Sequence, residues 1–450
     1  MSKIPFTYKA TSLAMRVLGR ILKSTLHCDG TENLSDRPTL FVANHFTRME
    51  TFLLPYALYK LKGTMVHSLA DHELFVGRFG EYLRTLGGFS SRDHLRDRII
   101  IGELMKGSHN WVIFPEGMMV KNKKVYHEGK YRMDSPERTG PPHTGAAVLA
   151  LKAEIYRRLY QEALEKGDER MVTYLNKRFF ISGPEELAGK PVMIQPVNIS
   201  YYPIRPGMNP ISILAHSFIK YIPDRLMEEL NVEGKLLTSK SDISIYFCAP
   251  IPVENYLTGV SPMLKLLEPF MSTGRRTSLT IIYQKLRLTM DFMKEVYNHV
   301  SINIDHLFAA SLHNLKGEKL PLEQLKLAIF LSAVEVNRLV GRRIHPTLQE
   351  DLINLAADQP YEPFRDILRV AETEGLVQRS GDELVFQRGR FSSLLPFHRI
   401  RLNNIIEVIN NELEPLRTEQ KIIGRNINLP PQRLKLMVSD LLIGSERRRH

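Results

Sequence analysis

A histidine and a glutamate five residues apart have the chemistry of a general base and its orienting partner. His45 follows the β-prone run Thr39–Ala43, and Glu50 lies where a helix is expected to begin. An imidazole titrates near neutral pH and can take a hydroxyl proton. A carboxylate on its other nitrogen would fix the tautomer and stabilise the imidazolium. Five residues on a regular helix would separate the two side chains by about 140°, so the pair can meet only if His45 lies in the loop before the helix.

Glu50 also has a purely structural interpretation. Thr47-Arg-Met-Glu50 has the spacing of a capping box, in which Thr47 caps the helix and Glu50 reaches back to its amide. The two interpretations are compatible, because a carboxylate in the first turn of a helix lies close to the preceding loop.

A second candidate segment is the turn Phe114-Pro115-Glu116-Gly117, which follows the apolar run Trp111–Phe114. A strand that ends in Pro-Glu-Gly places a carboxylate at the edge of a sheet, where the sites of α/β folds gather. The structural alternative is an exposed glutamate in an ordinary turn.

Cations lie near these segments. Arg92 follows the glycine turn Gly87-Gly88, and its guanidinium suits bidentate recognition of phosphate. Lys121, with Lys123 and Lys124 beside it, follows the Pro-Glu-Gly turn and could meet a phosphate. Three lysines are also typical of a solvated face, so the pattern leaves both interpretations open.

Strand and helix patterns alternate around these residues, which predicts an α/β fold with a mixed sheet flanked by helices. The strand patterns are Thr39–Ala43, Gly63–Leu69, Trp111–Phe114, Val192–Tyr201 and Asp242–Phe247. The helix patterns are Phe75–Leu86, Arg96–Lys106 and Thr144–Leu164.

We expect three parts along the chain: a basic amphipathic helix in residues 1–27, the α/β domain in residues 28–277, and an added, mainly helical domain in residues 278–450. In the last part, the helical run Pro363–Glu374 precedes two β-prone arms around Ser380-Gly381-Asp382, which predicts a winged-helix-like hairpin.

The N-terminal helix is expected over Tyr8–Leu26, with apolar and basic residues at helical spacing. The apolar residues are Leu13, Val17, Leu18, Ile21 and Leu22, and the basic residues are Lys9, Arg16, Arg20 and Lys23. Such a helix either lies in a bilayer interface among anionic head groups or packs on the protein's own core, and amphipathicity alone leaves both open.

Charge and composition narrow the function classes. Lys and Arg outnumber Asp and Glu by 61 to 49, so the surface attracts polyanions such as nucleic acid, anionic lipid or phosphorylated substrates. Two distant cysteines, Cys28 and Cys248, form no disulfide framework and fit a reducing compartment. Neither a signal peptide nor a membrane-spanning helix is expected. The usual P-loop, dinucleotide, α/β-hydrolase and zinc-protease motifs are absent from the sequence.

Four blocks in order resemble the glycerophospholipid acyltransferase family, which includes glycerol-3-phosphate and lysophosphatidate acyltransferases. The blocks are Asn44-His45 with a carboxylate five residues on, Gly88–Arg92, Phe114–Gly117 and Gln195–Ile199. The segment that begins at His143 also looks like the family's glycine-containing helix start. The resemblance covers roughly residues 25 to 255, and the first and third blocks are the most specific.

The resemblance implies a peripheral O-acyltransferase of phospholipid biosynthesis at the cytoplasmic face of a membrane with anionic lipid. His45 would be the general base and Glu50 would orient it. Arg92 would hold the acceptor phosphate, and Phe114, Pro115, Glu116, Gly117 and Lys121 would line the substrate pocket. The substrates would be an acyl thioester, as acyl-CoA or on acyl carrier protein, and the hydroxyl of glycerol 3-phosphate or a lysophospholipid. No metal and no bound cofactor are implied.

Two departures from the family pattern keep other functions open. Glu50 stands where the family has Asp, and Met118-Met119 stand where the family continues Thr-Arg. These substitutions motivate an alternative, a catalytically inactive lipid-binding scaffold. A second alternative is a nucleic-acid-binding protein that uses the winged-helix-like hairpin, although no basic recognition helix accompanies that hairpin and we do not expect a nucleic-acid partner.

Overall fold

The computed structural model describes residues 5–21, 24–134, 139–213, 224–257, 273–391 and 404–446. The chain folds into two compact units. The first contains Met1–Met119, Pro141–Ile199 and Ile243–Val296, and the second contains Val120–Gly140, Ser200–Asp242 and Tyr297–His450. The domain boundaries expected at residues 27 and 277 stay a prediction.

The strands are numbered along the chain. They are β1 Thr25–Asp29, β2 Thr39–Ala43, β3 Val66–Ala70, β4 Gly88–Ser90, β5 Asn110–Ile113, β6 Tyr126–His127, β7 Lys130–Tyr131, β8 Met133–Asp134, β9 Thr139–Gly140, β10 Met193–Tyr202, β11 Asp242–Phe247, β12 Ile251–Pro252, β13 Ser301–Ile302, β14 Lys319–Pro321, β15 Arg343–Ile344, β16 Val377–Ser380 and β17 Glu383–Phe386.

The α-helices are numbered in the same way. They are α1 Phe6–Ile21, α2 Glu50–Lys62, α3 Gly77–Thr85, α4 Arg96–Lys106, α5 Gly145–Lys166, α6 Glu169–Phe179, α7 Asp224–Thr238, α8 Thr273–Asn298, α9 Ile304–Asn314, α10 Leu322–Asn337, α11 Ile353–Ala356, α12 Glu362–Thr373, α13 Arg388–Phe391, α14 Ile405–Leu413, α15 Arg417–Ile427 and α16 Pro431–Glu446.

Among the described residues, eight strands form one sheet in the order β1-β11-β10-β2-β5-β3-β4, with β12 beside β10. Strands β10, β2, β5, β3 and β4 run parallel to one another, whereas β12 is antiparallel to β10. Central parallel strands are covered on both faces, and all five residues of β2 are buried. Helix α4 packs on α5 and β5, and α5 packs on β2 and α6. The predicted mixed sheet with flanking helices is confirmed.

The second unit is mainly helical after residue 297, as predicted. Helices α9, α10, α14 and α15 pack on one another, and their apolar faces are buried, including Phe308 and Ile409. Helix α12 precedes the predicted hairpin, in which β16 and β17 pair in antiparallel fashion around Gly381. Strand β14 adds a third strand beside β17.

The N-terminal helix is shorter than the sequence predicts. It ends at Ile21, and Thr25 and Leu26, expected in the helix, belong to β1 because that strand joins the sheet beside β11. Leu13 is 59 % exposed. The side chains of Val17, Leu18, Arg20 and Ile21, and all of Leu22 and Lys23, lie outside the described part of the chain. Among the described residues, no helix combines the length and hydropathy that crossing a membrane requires.

Candidate active site

The candidate residues follow the carboxyl ends of neighbouring parallel strands. Val42 of β2 lies opposite Ile113 of β5 in the parallel register, so the loop that begins at Asn44 and the turn that begins at Phe114 leave the sheet side by side. This edge is where sites form in α/β sheets. Topology therefore brings together two segments that are about 70 residues apart in the sequence.

The side chain of Asn44 extends the β2–β10 ladder past the end of β2. Its Nδ2 donates to the carbonyl oxygen of Ile199 at 2.8 Å, and its Oδ1 accepts from the amide of Ile199 at 2.7 Å. A side-chain amide has the donor and acceptor of a peptide group, so Asn44 takes the place of a strand residue while the backbone turns away. This pairing fixes the start of the loop that carries His45.

His45 and Glu50 meet as the general-base hypothesis requires. His45 lies in the loop before α2, and its Nδ1 is 2.8 Å from Glu50 Oε2. The Glu50 side chain is fully buried, and that of His45 is 13 % exposed. A carboxylate takes the Nδ1 proton of a neutral imidazole as a hydrogen bond, which leaves the lone pair on Nε2. The Nε2 atom is then the ring atom that can accept a proton from a substrate.

Glu50 also performs half of the predicted capping function. Its Oε1 accepts from the amide of Thr47 at 3.1 Å, and its Oε2 accepts from the amide of Phe46 at 2.8 Å. The other half of the predicted capping box is wrong, because α2 begins at Glu50 and Met49 occupies the N-cap position without a side-chain cap. One carboxylate therefore holds both the loop backbone and the imidazole.

The turn Phe114–Gly117 lies directly against His45. The Phe114 and His45 rings are stacked, with centroids 4.2 Å apart and planes inclined by 20°. The Gly117 amide donates to the Phe114 carbonyl oxygen at 3.1 Å, so the four residues form a β-turn with Pro115 at its second position, where proline is favoured. Glu116 is buried, with 2 % of its surface exposed, unlike the exposed glutamate of an ordinary turn.

Arg92 lies in the loop after β4 and is exposed, and its amide donates to Ser90 Oγ at 3.3 Å. Strand β4 is separated from β5 by β3 in the same sheet. Adjacent strands are about 4.8 Å apart, so the backbone of this loop starts about 10 Å from β5 across the sheet. Arg92 can approach the Phe114–Gly117 turn only through its long side chain.

The lysines that follow the turn in the sequence belong to the second unit, and each is paired with a carboxylate of that same unit. Lys121 is buried with its Nζ 3.7 Å from Glu233, Lys123 lies 2.5 Å from Glu412, and Lys124 lies 2.6 Å from Glu414. Burial by itself would raise the pKa of Glu412, but Lys123 and His306 outweigh that effect and hold it at about 2. A charge already balanced in this way is a poor phosphate ligand, which weakens the assignment of Lys121 to the substrate pocket.

Among the described residues, one group has the ligand types of a metal site: His67, Glu103 and His109, whose ligand atoms lie within 4.8 Å of one another. The two imidazole rings are stacked, with centroids 4.1 Å apart and planes 17° apart. An imidazole binds a metal near its own ring plane, so a single ion cannot lie in both planes in this arrangement. Glu103 instead accepts hydrogen bonds from His67 and from Trp111 Nε1, at 2.8 and 2.7 Å.

The contact between His45 and Glu50 was predictable because the two residues are close in the sequence. No role was assigned from the sequence to two residues that lie next to this pair or to the Phe114–Gly117 turn. Asn44 has a hydrogen-bond partner 155 residues away, and the amide of His143 donates to the Pro115 carbonyl oxygen at 3.1 Å. A polar residue at the end of a strand was the available signal for Asn44. Sequence spacing carries no signal for the position of His143.

Comparison with known proteins gives one family match. Residues 25–160 match the family model described as Acyltransferase, which includes the first three of the four sequence blocks. The chain is also similar to the crystal structure of the 1-acyl-sn-glycerophosphate (LPA) acyltransferase PlsC from Thermotoga maritima. The sequence identity is 17 % and the TM-score is 0.29, over 59 % of this chain and 79 % of that chain. No curated protein matches the chain.

Proposed function

We propose that this chain moves a fatty acyl group from a thioester to a hydroxyl of glycerol 3-phosphate or a lysophospholipid. Residues 25–160, which match the acyltransferase family model, support this proposal. The family match supports acyl transfer in lipid synthesis. The identities of the acceptor and the donor are part of the proposal. The donor is acyl-CoA or an acyl group on acyl carrier protein, and it enters as a substrate.

The reaction begins when the acceptor hydroxyl approaches His45 Nε2. The imidazole takes the hydroxyl proton while the oxygen forms a bond to the thioester carbonyl carbon, and the carbonyl oxygen becomes an oxyanion. Glu50, 2.8 Å from Nδ1, stabilises the imidazolium and keeps Nε2 directed at the substrate. General-base catalysis of this kind typically contributes about 10²–10⁴-fold.

The tetrahedral intermediate collapses when its oxyanion re-forms the carbonyl and the carbon–sulfur bond breaks. The leaving thiolate takes the proton from His45, which returns to the neutral imidazole, and the products are an ester and a free thiol. The stacked Phe114 ring limits rotation of the imidazole between the two proton transfers.

The observation that carries this proposal is the pair formed by His45 and the fully buried Glu50, next to the Phe114–Gly117 turn. The same observation argues against the inactive scaffold. The longer glutamate side chain still reaches His45 Nδ1 at 2.8 Å, so the replacement of Asp has not separated the pair.

The test is release of free thiol from palmitoyl-coenzyme A with glycerol 3-phosphate, dihydroxyacetone phosphate or 1-acylglycerol 3-phosphate as acceptor. We expect acceptor-dependent release that His45→Ala abolishes while the melting temperature is retained. Wild-type turnover in that variant would remove His45 from the mechanism. If no thiol is released, palmitoyl-acyl carrier protein is the next donor, and failure with both donors would favour the scaffold.

Peripheral attachment to a membrane is part of the proposal, and α1 is the element that supports it. Phe6 and Leu13 are 84 % and 59 % exposed. They are seven residues apart and therefore share a helix face. Lys9 and Arg16, each three residues further on, lie beside that face and are exposed. An exposed apolar stripe flanked by cations suits the interface of an anionic bilayer.

Vesicle flotation tests the role of this face. We expect Leu13→Asp to reduce binding to phosphatidylserine-containing vesicles because it places a negative charge among the apolar residues. Leu164→Asp is the matched control, since Leu164 is also an exposed helical leucine of the first unit, at 39 %. Equal binding of the two variants would move the attachment to another surface.

A further inference from the structure

The imidazole of His143 lies over the turn that carries the Pro-Glu-Gly segment. Gly117 has a φ of +75°, and a β-carbon at this position would lie 2.8 Å from His143 Cδ2 and 2.9 Å from its Nε2. The main chain fixes this arrangement, because the His143 amide donates to Pro115 at 3.1 Å. Gly117 therefore has two reasons to be glycine: its backbone conformation and the ring packed against it.

The turn connects this imidazole to the reacting centre. Phe114, the first residue of the turn, stacks on His45 at 4.2 Å, and Gly117, its last residue, contacts His143. The first and last Cα atoms of a β-turn are less than about 7 Å apart. His143 is also exposed, so it is accessible to a solute that reaches the turn.

The acceptor substrates considered above carry a phosphate close to the reacting hydroxyl, and that phosphate needs a cation near the turn. Met118 and Met119 carry no charge, and the ammonium of Lys121 lies against Glu233. Arg92 follows β4, two strands away from β5. His143, in contrast, is a cation-forming side chain whose ring packs on the turn itself.

We propose that His143, as an imidazolium, binds the phosphate group of the acceptor and sets the preference of the enzyme for phosphorylated acceptors. The inference rests on the proposed function and deepens it. A free histidine has a pKa of about 6.5, and a phosphate monoester loses its second proton near pH 6. The attractive pair of imidazolium and dianion is therefore best populated slightly above pH 6, and a bound dianion extends the range upward.

The experiment measures kcat and KM for the acceptor that the wild type uses best, between pH 6 and 8.5. One hydrogen bond to a charged group contributes a modest free energy, so we expect His143→Gln to raise the acceptor KM roughly tenfold at pH 6.5, the equivalent of about 1.4 kcal/mol. The KM for acyl-CoA should stay unchanged. The wild-type acceptor KM should rise with pH, and this rise should be weaker in the variant.

Two further variants separate charge from packing. His143→Lys keeps a cation throughout this range, so it should restore a low acceptor KM that no longer rises with pH. His27→Gln is the matched control, because His27 is also an exposed histidine and lies on β1, an edge strand that β11, β10 and β2 separate from β5. It should leave both KM values unchanged. An acceptor KM in His143→Gln equal to that of the wild type at pH 6.5 would overturn the inference.

A binding measurement distinguishes failure of this inference from failure of the proposed function. In protein labelled with ¹³C at histidine Cε1, the His143 signal is the one missing from His143→Gln. We expect it to shift on titration with glycerol 3-phosphate and, more weakly, with inorganic phosphate. A shift without any thiol release would keep the phosphate site and reject the acyl transfer. Thiol release without a shift would keep the acyl transfer and reject the role of His143.

Discussion

Replacement of Glu50 by glutamine is expected to slow acyl transfer far more than it destabilises the protein. The carboxylate accepts hydrogen bonds from three donors: His45 Nδ1, the Phe46 amide and the Thr47 amide. A glutamine has one acceptor oxygen and one NH2 group, so in either orientation at least one N–H faces another donor. The orientation that keeps the Phe46 and His45 contacts leaves the Thr47 amide without its acceptor.

The effect on the rate follows from the loss of charge beside the imidazolium. At 2.8 Å, and with an effective dielectric constant of 20, the attraction between unit charges is about 6 kcal/mol, which is an upper bound. The lower bound is the difference between a charged and a neutral hydrogen bond, about 1.4 kcal/mol. These bounds correspond to a fall in kcat of roughly 10-fold to 10⁴-fold. We expect a value near 10²-fold or greater, because the glutamine NH2 group can also select the inactive tautomer.

The effect on stability should be smaller. One buried amide that loses its acceptor lowers the free energy of unfolding by about 1–3 kcal/mol. The matched control is Glu154→Gln, because Glu154 is also fully buried and accepts hydrogen bonds from Arg157, Arg158 and the Val192 amide. Glu154 lies nine residues along α5 from its start, about 13 Å along the helix axis. Its replacement should destabilise the protein at least as much and leave kcat unchanged.

The assay combines thiol release under saturating substrates with urea unfolding of the wild type and both variants. A Glu50→Gln variant with less than a tenfold fall in kcat and a lowered stability would refute the reasoning. In that case Glu50 would serve only to start α2. A parallel fall in kcat for Glu154→Gln would instead attribute the loss in both variants to instability.

Two further predictions concern residues around the site and in the sheet. Asn44→Ala removes both hydrogen bonds to Ile199. This variant should lower the free energy of unfolding by about 2 kcal/mol. It should also lower kcat about 10- to 100-fold, with little change in KM. An unchanged kcat in steady-state kinetics would show that the loop holds its position without this contact. Burial alone would raise the pKa of Glu103, but the imidazoles of His109 and His67 beside the carboxylate lower it to about 2. The charged carboxylate therefore stabilises the fold above its unfolded pKa of about 4.3, and this contribution is lost as the pH falls towards 2. Glu103→Gln should lower the free energy of unfolding by about 3 kcal/mol at pH 7 and by about half as much at pH 3. If urea unfolding gave the same difference between wild type and variant at both pH values, this account would be contradicted.

The elements of the fold were predictable where their signal is local. Helix α4 has the predicted bounds, because capping, propensity and periodicity act within one or two turns. The end of α1 was not predictable in this way. Thr25 and Leu26 continue the amphipathic pattern, but they form a strand because β11, more than 200 residues later, lies beside them. Tertiary pairing overrides local propensity at such positions.

The same distinction applies to the site. Lys121, Lys123 and Lys124 look like a free basic cluster in the sequence, but their carboxylate partners are 112 to 290 residues away. Asn44 and His143 acquire their roles from backbone atoms of Ile199 and Pro115. A local side-chain pattern such as a capping box predicts a backbone partner within a few residues, but it does not predict a backbone partner on a distant segment.

Glu50 shows why a structural and a chemical interpretation of one residue need not compete. Its Oε1 accepts from the Thr47 amide and its Oε2 from the His45 ring, so the beginning of α2 and the orientation of the imidazole depend on the same carboxylate. An aspartate is shorter by one methylene, and with this backbone it could not keep all three contacts, since productive geometry tolerates displacements of only about 0.5 Å. Because α2 begins at residue 50 itself, the glutamate side chain reaches back over the loop to the imidazole and to both amides.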